Sequence, residues 1–529
     1  MEKLLLLGDE AFAQGALDSG LSGAYGYPGT PSTEIIAYIQ NDKTAIDKNI
    51  HKVWSVNEKT AYESALGMSY AGKRVIVTMK HVGLNVAADG FVNSGLTGTN
   101  GGFILAVADD PSMHSSQNEQ DSRFYGKFAN LTTLEPSNQQ EAYDMARYGF
   151  ELSEKFELPV VLRLVTRLSH SRAGVNRTAA IQEKSLALPT DSTRFILLPA
   201  NARKRYTQLL EKQKDLEKAA EVSPFNHYFD GDDKSLGIIA CGLAYNYLME
   251  NYEAECPHPV LKLCQYPLPR KYIRKMYAEC QSILVLEEGM PLIEEMLSGY
   301  LDNGKRIKGR LDGTLPRDGE LNPNIVAEAL DMTVPKEIKL PALMVNRPPS
   351  LCEGCSHRDL YEAMKVIIDK IGVGHVFSDI GCYTLGALPP FKTINTCVDM
   401  GASITMAKGA ADAGLHPAIA VIGDSTFSHS GITGLLDCVN EKSNVVIVIA
   451  DNETTAMTGG QDSSAHGRIE EICKGIGVEP AHIRVCLPLP KNHEEIVQIF
   501  EQEIAYEGVS VIIPRRECIQ TLKRKAKKR

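Results

Sequence analysis

Two polar segments near the end of the chain each follow an apolar run typical of a buried strand. Asp424 comes directly after AIAVIG, and Asp451 and Asn452 come directly after NVVIVIA. The separation accommodates a crossover helix and a second parallel strand, so we expect Asp424 and Asn452 to lie side by side at the carboxyl edge of one sheet. Their oxygens suit magnesium but are too few to complete an octahedron. The pair predicts a Mg²⁺ ion that holds a diphosphate, or alternatively two residues that only cap helices.

Several longer motifs accompany this pair. They are GYPGTPSTEI (26–35), WSVNEKTAYESALG (54–67), CEGCSHR (352–358), DIGCYTLG (379–386), MGASITMAKGAADAG (400–414), GDSTFSHSGITGL (423–435) and DNETTAMTGGQ (451–461). Taken together and in this order, they resemble the alpha subunits of the 2-oxoacid:ferredoxin oxidoreductase family, which depend on thiamine diphosphate. The resemblance covers nearly the whole chain.

The resemblance implies a set of cofactor-binding residues. The side chains of Asp424 and Asn452 and the main-chain carbonyl of Thr454 would bind the magnesium ion. Gly401 and Ser403 would open a helix whose free N–H groups face the diphosphate. The other implied cofactor contacts are Cys382, Tyr383, Thr384, Ala402, Gly423, Ser425 and Thr426.

Glu58 is the residue to which the resemblance assigns a catalytic role. It lies in VNEK after a predicted strand and matches the glutamate that shifts the aminopyrimidine of the cofactor to its imino tautomer, which the carbanion chemistry requires. The alternative is an ordinary carboxylate in the first turn of a helix.

The substrate residues are also assigned by resemblance. Thr30 matches a threonine near the 2-oxoacid carboxylate, and Arg123 is the cation that we expect to bind this carboxylate in a two-point contact, unless it is a surface arginine. Met457 replaces a polar residue of pyruvate-using relatives and favours a larger apolar substrate group. The lone histidines His81 and His429 are more typical of structural positions.

Four of the twelve cysteines match cluster ligands of relatives. Cys352 and Cys355 form a CxxC, Cys382 lies in DIGC, and Cys518 follows the last predicted strand. The resemblance implies one 4Fe–4S cluster on these four thiolates; a structural zinc and unligated buried cysteines are the alternatives. We expect the chain to lack the ferredoxin-like domain of many relatives, so that electrons pass directly to ferredoxin or through another subunit.

The elements that position these residues form three α/β patterns, each with continuous apolar runs that suit strands of parallel sheets. We predict a pyrimidine-binding domain over residues 1–190, a helical linker over 191–234, a smaller middle domain of transketolase C-terminal type over 235–345, and a diphosphate-binding domain over 346–529. The predicted fold class is therefore α/β, with two doubly wound parallel sheets and a smaller α/β domain between them.

The composition sets limits on the function. A chain of 529 residues with 43% apolar and 23% charged residues can form several folded domains and is not disordered or fibrous. Its net charge of -10 disfavours general nucleic-acid binding. We expect no secretory signal and no membrane span, and hence a cytoplasmic protein with reduced cysteines. The segment LKRKAKKR (522–529) carries six positive charges and predicts a solvated tail or, less typically, a docking segment.

The resemblance to the 2-oxoacid:ferredoxin oxidoreductases implies one subunit of such an oxidoreductase. It would convert arylpyruvates such as indolepyruvate, with coenzyme A, to acyl-CoA and CO₂ and would reduce ferredoxin. Its predicted partner is a smaller beta subunit, in a heterodimer or a dimer of heterodimers. The alternatives are a non-oxidative thiamine diphosphate decarboxylase or carboligase that holds no iron, and a catalytically idle scaffold subunit with a zinc site.

Overall fold

The structure is a computed structural model that describes residues 3–528 except 192, 254, 300–305, 335–342 and 345–348. The chain divides into two compact units, Met1–Ile338 and Lys339–Arg529. The predicted domain boundary at residues 345 and 346 and the terminal Arg529 lie outside the described residues. No helix in the described ranges is long and apolar enough to cross a membrane.

The first unit is built from strands and helices in alternation. Its strands are β1 (Lys3–Leu7), β2 (Gly23–Gly26), β3 (His51–Trp54), β4 (Val75–Lys80), β5 (Phe103–Asp109), β6 (Thr132–Leu134), β7 (Val160–Val165), β8 (Arg172–Asn176), β9 (His227–Phe229), β10 (Leu236–Cys241), β11 (Val260–Leu263), β12 (Gln265–Tyr266), β13 (Ser282–Leu286) and β14 (Arg306–Lys308). Its helices are α1 (Gly8–Asp18), α2 (Thr33–Asn41), α3 (Lys43–Asp47), α4 (Glu58–Tyr70), α5 (His81–Thr97), α6 (Ser122–Phe128), α7 (Gln139–Phe156), α8 (Thr166–His170), α9 (Pro199–Glu221), α10 (Ala244–Met249), α11 (Arg270–Glu279), α12 (Leu292–Ser298) and α13 (Pro323–Ala329).

Two larger sheets organise this unit. One has the order β12-β6-β7-β5-β4-β2-β3, and the other has the order β14-β13-β10-β11-β9. Strands β4, β5 and β7 are buried at every residue, because their continuous apolar runs are covered by helices on both faces, as in parallel sheets generally. Strand β12 comes from the predicted middle domain, yet it pairs antiparallel with β6 of the first sheet.

The predicted helical linker, residues 191–234, contains more structure than its composition indicated. Helix α9 forms there and buries Leu209 and Leu216 in an apolar cluster of the first unit. Strand β9 follows it and pairs antiparallel with β11. The segment HYF carried no strand signal, because an edge strand of three residues takes its conformation from the partner to which it binds.

The second unit has the same alternating construction. Its strands are β15 (Val376–Ser378), β16 (Ile419–Gly423), β17 (Val445–Ala450), β18 (Thr454–Thr455), β19 (Gln461–Asp462), β20 (Ile483–Cys486) and β21 (Val509–Pro514). Its helices are α14 (Ser356–Ile371), α15 (Ala402–Asp412), α16 (Asp424–Thr426), α17 (Ile432–Glu441), α18 (Ile469–Ile476), α19 (His493–Ala505) and α20 (Ile519–Lys528).

The main sheet of the second unit is entirely parallel, in the order β15-β16-β17-β21-β20. Strands β18 and β19 form a separate antiparallel hairpin beyond the end of β17. Parallel strands connected by helices were predicted for this region and for the first unit, and the α/β fold class is confirmed. In parallel sheets the carboxyl ends of the strands are where ligands bind.

Candidate functional site

The carboxyl ends of β16 and β17 bring two aspartates together. Gly423 lies opposite Ala450 in the parallel register, so Asp424 and Asp451 leave the sheet at the same edge. Arg515 neutralises Asp451 through an Nε–Oδ2 contact of 2.6 Å. Asp424 is only 2% exposed, and its Oδ2 atom has no hydrogen-bond partner.

Asp424 is therefore a buried carboxylate in an unfavourable environment. Burial, and secondarily the charge of Asp451, raise the pKa of Asp424 to about 7. The Ser463 side chain and main-chain N–H groups offset this rise only in part. An ionised carboxylate in the interior is costly when one of its oxygens lacks a partner, as Oδ2 does here. A divalent cation would remove this cost, so the residue present here fits the predicted magnesium ion.

Asn452 and Thr454 lie at the turn that follows β17. Asn452 is buried, and its Oδ1 accepts a hydrogen bond from the Thr454 N–H at 3.2 Å. Glu453 between them has a φ of 65°, in the left-handed region that residues with a side chain rarely occupy. The structure thus places the three predicted magnesium ligands at one edge of the sheet. Over the described ranges, no three His, Cys, Asp or Glu side chains form a site for a single ion, so a diphosphate and water would have to complete the coordination.

The start of α15 already holds an anion from the protein itself. Asp379, which directly follows β15, accepts hydrogen bonds through Oδ2 from the Gly401 N–H (3.1 Å), the Ser403 N–H (3.2 Å) and the Ser403 hydroxyl (2.6 Å). Burial raises the pKa of Asp379 to about 6 against these hydrogen bonds. The predicted contact of Gly401 and Ser403 with a diphosphate is thus not available in this arrangement. The sequence carried a signal for Asp379, since it stands at a strand end in DIGCYTLG.

The residues around Asp379 tie the predicted cofactor segments to one another. The Tyr383 hydroxyl donates to Oδ1 of Asp379, and the Tyr383 ring lies against Gly423, where a Cβ atom would be 2.6 Å from the ring. The Thr384 hydroxyl donates to the Asp379 carbonyl at 2.5 Å. Only glycine fits at position 423, so the strand end that precedes Asp424 packs directly on this tyrosine.

Two further contacts complete this network. The Thr426 hydroxyl donates to the Ile380 carbonyl at 3.1 Å, and the hydroxyls of Ser425 and Thr455 are 2.8 Å apart. Ala402, also among the implied cofactor residues, donates from its N–H to the Asp399 carbonyl at 3.2 Å. Met457 lies on the turn after β18 and is 54% exposed.

The four predicted cluster cysteines all lie in the second unit. Cys352 is exposed, whereas Cys355, Cys382 and Cys518 are half-buried. Burial, followed by the charges of Cys355, Cys518 and Cys352, raises the pKa of Cys382 to about 12. Four thiolates are the usual ligand set of a 4Fe–4S cluster, and the electrostatic influence of three of these thiols on Cys382 is consistent with their being neighbours. The cluster stays a prediction.

Neighbouring side chains hold the cluster cysteines in place. Arg516 links the two loops that carry them, through an ion pair with Asp359 at 2.7 Å and a hydrogen bond to the Gly354 carbonyl at 3.1 Å. His357 Nδ1 lies 3.5 Å from the Cys355 sulfur. Sequence reasoning missed both residues, although His357 stands two positions after Cys355.

In the first unit, Glu58 begins α4 and is 5% exposed. A Cβ atom on Gly83 would lie 2.5 Å from Glu58 Oε1, so the carboxyl group packs against the first turn of α5 where only glycine fits. Glu58 is therefore a first-turn residue of a helix, as the structural alternative predicted. It is also a buried carboxyl group, as the catalytic role requires.

Thr30 lies next to a buried cation that sequence reasoning did not select. Lys80, at the end of β4, donates from Nζ to the Ser115 carbonyl at 2.7 Å, and the Ser115 hydroxyl donates to the Thr30 carbonyl at 3.5 Å. A Cβ atom on Gly29 would be 3.0 Å from Cβ of Lys80. Burial lowers the pKa of Lys80 to about 8. The sequence could have indicated Lys80, because this charged residue in MKHVGLN directly follows the predicted strand VIVTM.

Arg123 requires a correction. It is 1% exposed, so it is not a surface arginine. Its guanidinium donates to Asp121, to Tyr266 and to the carbonyls of Glu288 and Met290, and pairs with Glu287 at 3.0 Å. These partners occupy all five N–H groups. The geometry does not support the predicted contact with a substrate carboxylate.

Comparisons with known proteins agree with this geometry. Residues 14–202 match the family described as "Pyruvate flavodoxin/ferredoxin oxidoreductase, thiamine diP-bdg". Residues 379–513 match "Thiamine pyrophosphate enzyme, C-terminal TPP binding domain". A solved 2-oxoglutarate:ferredoxin oxidoreductase from Magnetococcus marinus aligns with a TM-score of 0.51 and 16% identity, over 62% of this chain and 65% of that chain. This likeness supports the fold alone.

Curated relatives extend the match to nearly the whole chain. Indolepyruvate oxidoreductase subunit IorA of Archaeoglobus fulgidus is 40% identical over 98% of this chain and 86% of its own length. The subunit of the same name from Methanothermobacter thermautotrophicus is 39% identical over 98% of this chain and 87% of its own length. The predicted family and the predicted oxidoreductase class are confirmed. This chain therefore belongs to the indolepyruvate oxidoreductase subunit IorA family of thiamine diphosphate-dependent 2-oxoacid:ferredoxin oxidoreductases.

Proposed function

We propose that the chain is the alpha subunit of an enzyme that oxidatively decarboxylates arylpyruvates such as indolepyruvate with coenzyme A. The products are an acyl-CoA and CO₂, and the two electrons released reduce ferredoxin; the reverse carboxylation uses the same site. The observation that carries the cofactor is the uncompensated carboxylate of Asp424 at the strand edge. The name of the relatives supports the arylpyruvate substrate, and the exposed Met457 is compatible with an apolar substrate group.

The residues of the second unit would hold the charged part of the cofactor. Asp424, Asn452 and the Thr454 carbonyl would bind Mg²⁺, and the ion would bind the diphosphate. Bound thiamine diphosphate would supply nucleophilic attack on the 2-oxo carbon and stabilisation of the electron pair left by CO₂. Asp379 accepts hydrogen bonds from the start of α15 and from the Tyr383 hydroxyl, and so links these two segments.

The residues of the first unit would act on protons and on the substrate. Glu58 would exchange a proton with the ring nitrogen of the cofactor, and its burial keeps competing water away. We assign the substrate carboxylate to Lys80 and the Thr30 loop rather than to Arg123, because Lys80 has donors to spare whereas Arg123 has none. Charge-assisted hydrogen bonds from a buried ammonium group are among the stronger polar contacts.

Electrons would leave through a 4Fe–4S cluster on Cys352, Cys355, Cys382 and Cys518. The proposed assembly contains a smaller beta subunit, as the subunit designation of the relatives supports. We also propose a cytoplasmic location, where the cysteines of the proposed cluster would stay reduced.

The decisive experiment is anaerobic co-purification with the beta subunit, followed by metal analysis and assay of a 2-oxoacid panel with methyl viologen as acceptor. We expect about four iron atoms per chain, and indolepyruvate and phenylpyruvate preferred over pyruvate. Less than about one iron atom per chain, with CO₂ release that needs no acceptor, would favour the non-oxidative decarboxylase. Zinc in place of iron, without turnover, would favour the scaffold subunit.

Glu58 can be tested separately. The Glu58→Gln variant removes the exchangeable proton but keeps the size of the side chain, so we expect turnover to fall by about 100-fold or more with unchanged thiamine diphosphate binding. Full activity of this variant would refute the proposed proton transfer.

A further inference from the structure

Helix α20 is a strongly basic element in an acidic protein. The chain has a net charge of -10, yet Ile519–Lys528 contains Lys523, Arg524, Lys525, Lys527 and Lys528. The first four side chains of this set are exposed. A cluster of one sign produces a local potential that attracts oppositely charged molecules, and here that potential is opposite to that of the protein as a whole.

The helix is fixed beside the predicted cluster cysteines. It begins directly after Cys518, and Gln520 in its first turn donates from Nε2 to the exposed Cys352 sulfur at 3.3 Å. One turn further on, Arg524 donates to the Gly459 carbonyl. These two hydrogen bonds place α20, and with it the cations that it carries, beside Cys352 in the second unit.

Internal ion pairs leave most of this charge uncompensated. Lys525 pairs with Glu517 at 2.6 Å, and Glu453 and Asp462 also act on it. Before the helix, Arg515 forms ion pairs with Asp451 and Glu470. Arg516 forms an ion pair with Asp359. For Lys523 and Lys527, the part of the chain that the structure describes provides no ion-pair partner. Leu522 on the same helix is 48% exposed and adds apolar surface.

We propose that α20 and the exposed Cys352 form the docking surface for an acidic one-electron carrier protein. The inference rests on the proposed function and specifies where its acceptor binds. Electron transfer requires a short path between the two redox groups, and Cys352 is the exposed member of the four predicted cluster ligands. A 4Fe–4S cluster held by these cysteines would supply one electron to the carrier in each encounter, so two encounters would follow each decarboxylated 2-oxoacid. Without the cations of α20, the negative enzyme would repel a negative carrier.

The test is a charge reversal on α20 in the complete complex with its beta subunit. We compare the wild type with the Lys523→Glu/Lys527→Glu variant and use an oxidised, strongly acidic 2[4Fe–4S] ferredoxin as the probe. The expected result is a Kd for ferredoxin that rises by about tenfold or more at low salt. Raising NaCl from about 50 to 300 mM should weaken binding of the wild type far more than binding of the variant. The matched control, Lys204→Glu/Lys214→Glu, reverses two exposed lysines of α9 and should leave the Kd unchanged.

Kinetics separate this inference from the proposed function. The variant should show a raised KM for ferredoxin, while the rate with methyl viologen, which needs no protein docking, reports whether the 2-oxoacid reaction is intact. Failure of both acceptors in the wild type would refute the proposed function, and the Kd measured without turnover still decides the docking surface. An unchanged Kd in the α20 variant overturns the proposal. So does α20-dependent sedimentation with phosphatidylserine vesicles together with an unchanged ferredoxin Kd, since α20 would then bind a membrane.

Discussion

Two buried aspartates, one in each unit, have opposite electrostatic environments. Burial alone would raise the pKa of Asp121, but the guanidinium groups of Arg123 and Arg163 outweigh it, and the pKa of Asp121 is lowered. Asp424 has no such partner, and burial together with the charge of Asp451 raises its pKa to about 7. The charge of Asp121 is thus compensated by arginines of the protein itself. In the described part of the chain, Asp424 has no arginine beside it and keeps one oxygen without a hydrogen-bond partner.

The same distinction separates the two cations of the first unit. Arg123 was predicted to bind the substrate carboxylate. Its guanidinium N–H groups are instead all hydrogen-bonded or ion-paired within the protein. Lys80 is also buried, but its ammonium group donates a hydrogen bond to a single acceptor among the described residues, the Ser115 carbonyl. A residue type in a matching motif is therefore weaker support for a binding role than an unused donor or acceptor at a buried position.

The largest expected change in stability follows from removing Arg123, which compensates the charge of Asp121. The Arg123→Ala variant leaves Asp121 and Glu287 buried with less positive charge, so we expect the first unit to lose about 3–5 kcal/mol of stability. Denaturant unfolding with a probe in the first unit measures this. The control Arg172→Ala removes an exposed arginine that lies 3.7 Å from Glu10 and should change stability by less than about 0.5 kcal/mol. A stable Arg123→Ala protein with only a raised KM would restore the substrate role of Arg123.

The uncompensated aspartate should show the reverse pattern, with loss of binding and no loss of stability. In the Asp424→Asn variant we expect the affinity for thiamine diphosphate in the presence of Mg²⁺ to fall by about 100-fold or more, because a charged ligand of the ion is gone. Titration calorimetry measures this. Asp437→Asn, at an exposed position on α17, is the matched control. Unchanged Mg²⁺-dependent binding by Asp424→Asn would refute the magnesium assignment.

Only part of the difference between the Asp121–Arg123 pair and Asp424 could be predicted from the sequence. The placement of Asp424 and Asn452 at one edge of a sheet follows from two apolar runs and the rule that parallel strands end at one edge. The register of β16 and β17 brings the ends of these two strands to that edge, and the side-by-side arrangement of the two side chains stays a prediction. The burial of Arg123 depends on Glu287, Glu288 and Met290, which are more than a hundred residues away and reach it only through the tertiary fold. The hydrogen bonds from α15 to Asp379 likewise depend on where a later helix packs. Lys80 did have a local signal, a charged residue at the end of a fully buried strand.

A smaller effect should distinguish the two cations of the first unit. Lys80→Gln removes the ammonium group but keeps a hydrogen-bond donor, so we expect the KM for the 2-oxoacid to rise by roughly 10–100-fold, the equivalent of one charge-assisted hydrogen bond. The kcat should change less, and Lys80→Arg should recover part of the loss. Steady-state kinetics with methyl viologen measures both values. Lys59→Gln, at an exposed position on α4, is the control. A normal KM for Lys80→Gln would remove Lys80 from the substrate site.

The smallest expected effect concerns how the stability of the cofactor-free protein changes with pH, which tests whether Asp424 is uncompensated, unlike Asp121. The pKa of Asp424 is raised from 3.8 to about 7 in the folded state, so its protonated form favours folding. This contribution is fully present below pH about 4 and is lost as the pH rises to about 7. Relative to Asp424→Asn, which stays neutral, the wild type should therefore lose a few degrees of melting temperature across this range and then remain constant. Calorimetry of both proteins measures the difference. A wild type that gains stability relative to the variant as the pH rises would show that Asp424 is already compensated by the protein, as Asp121 is.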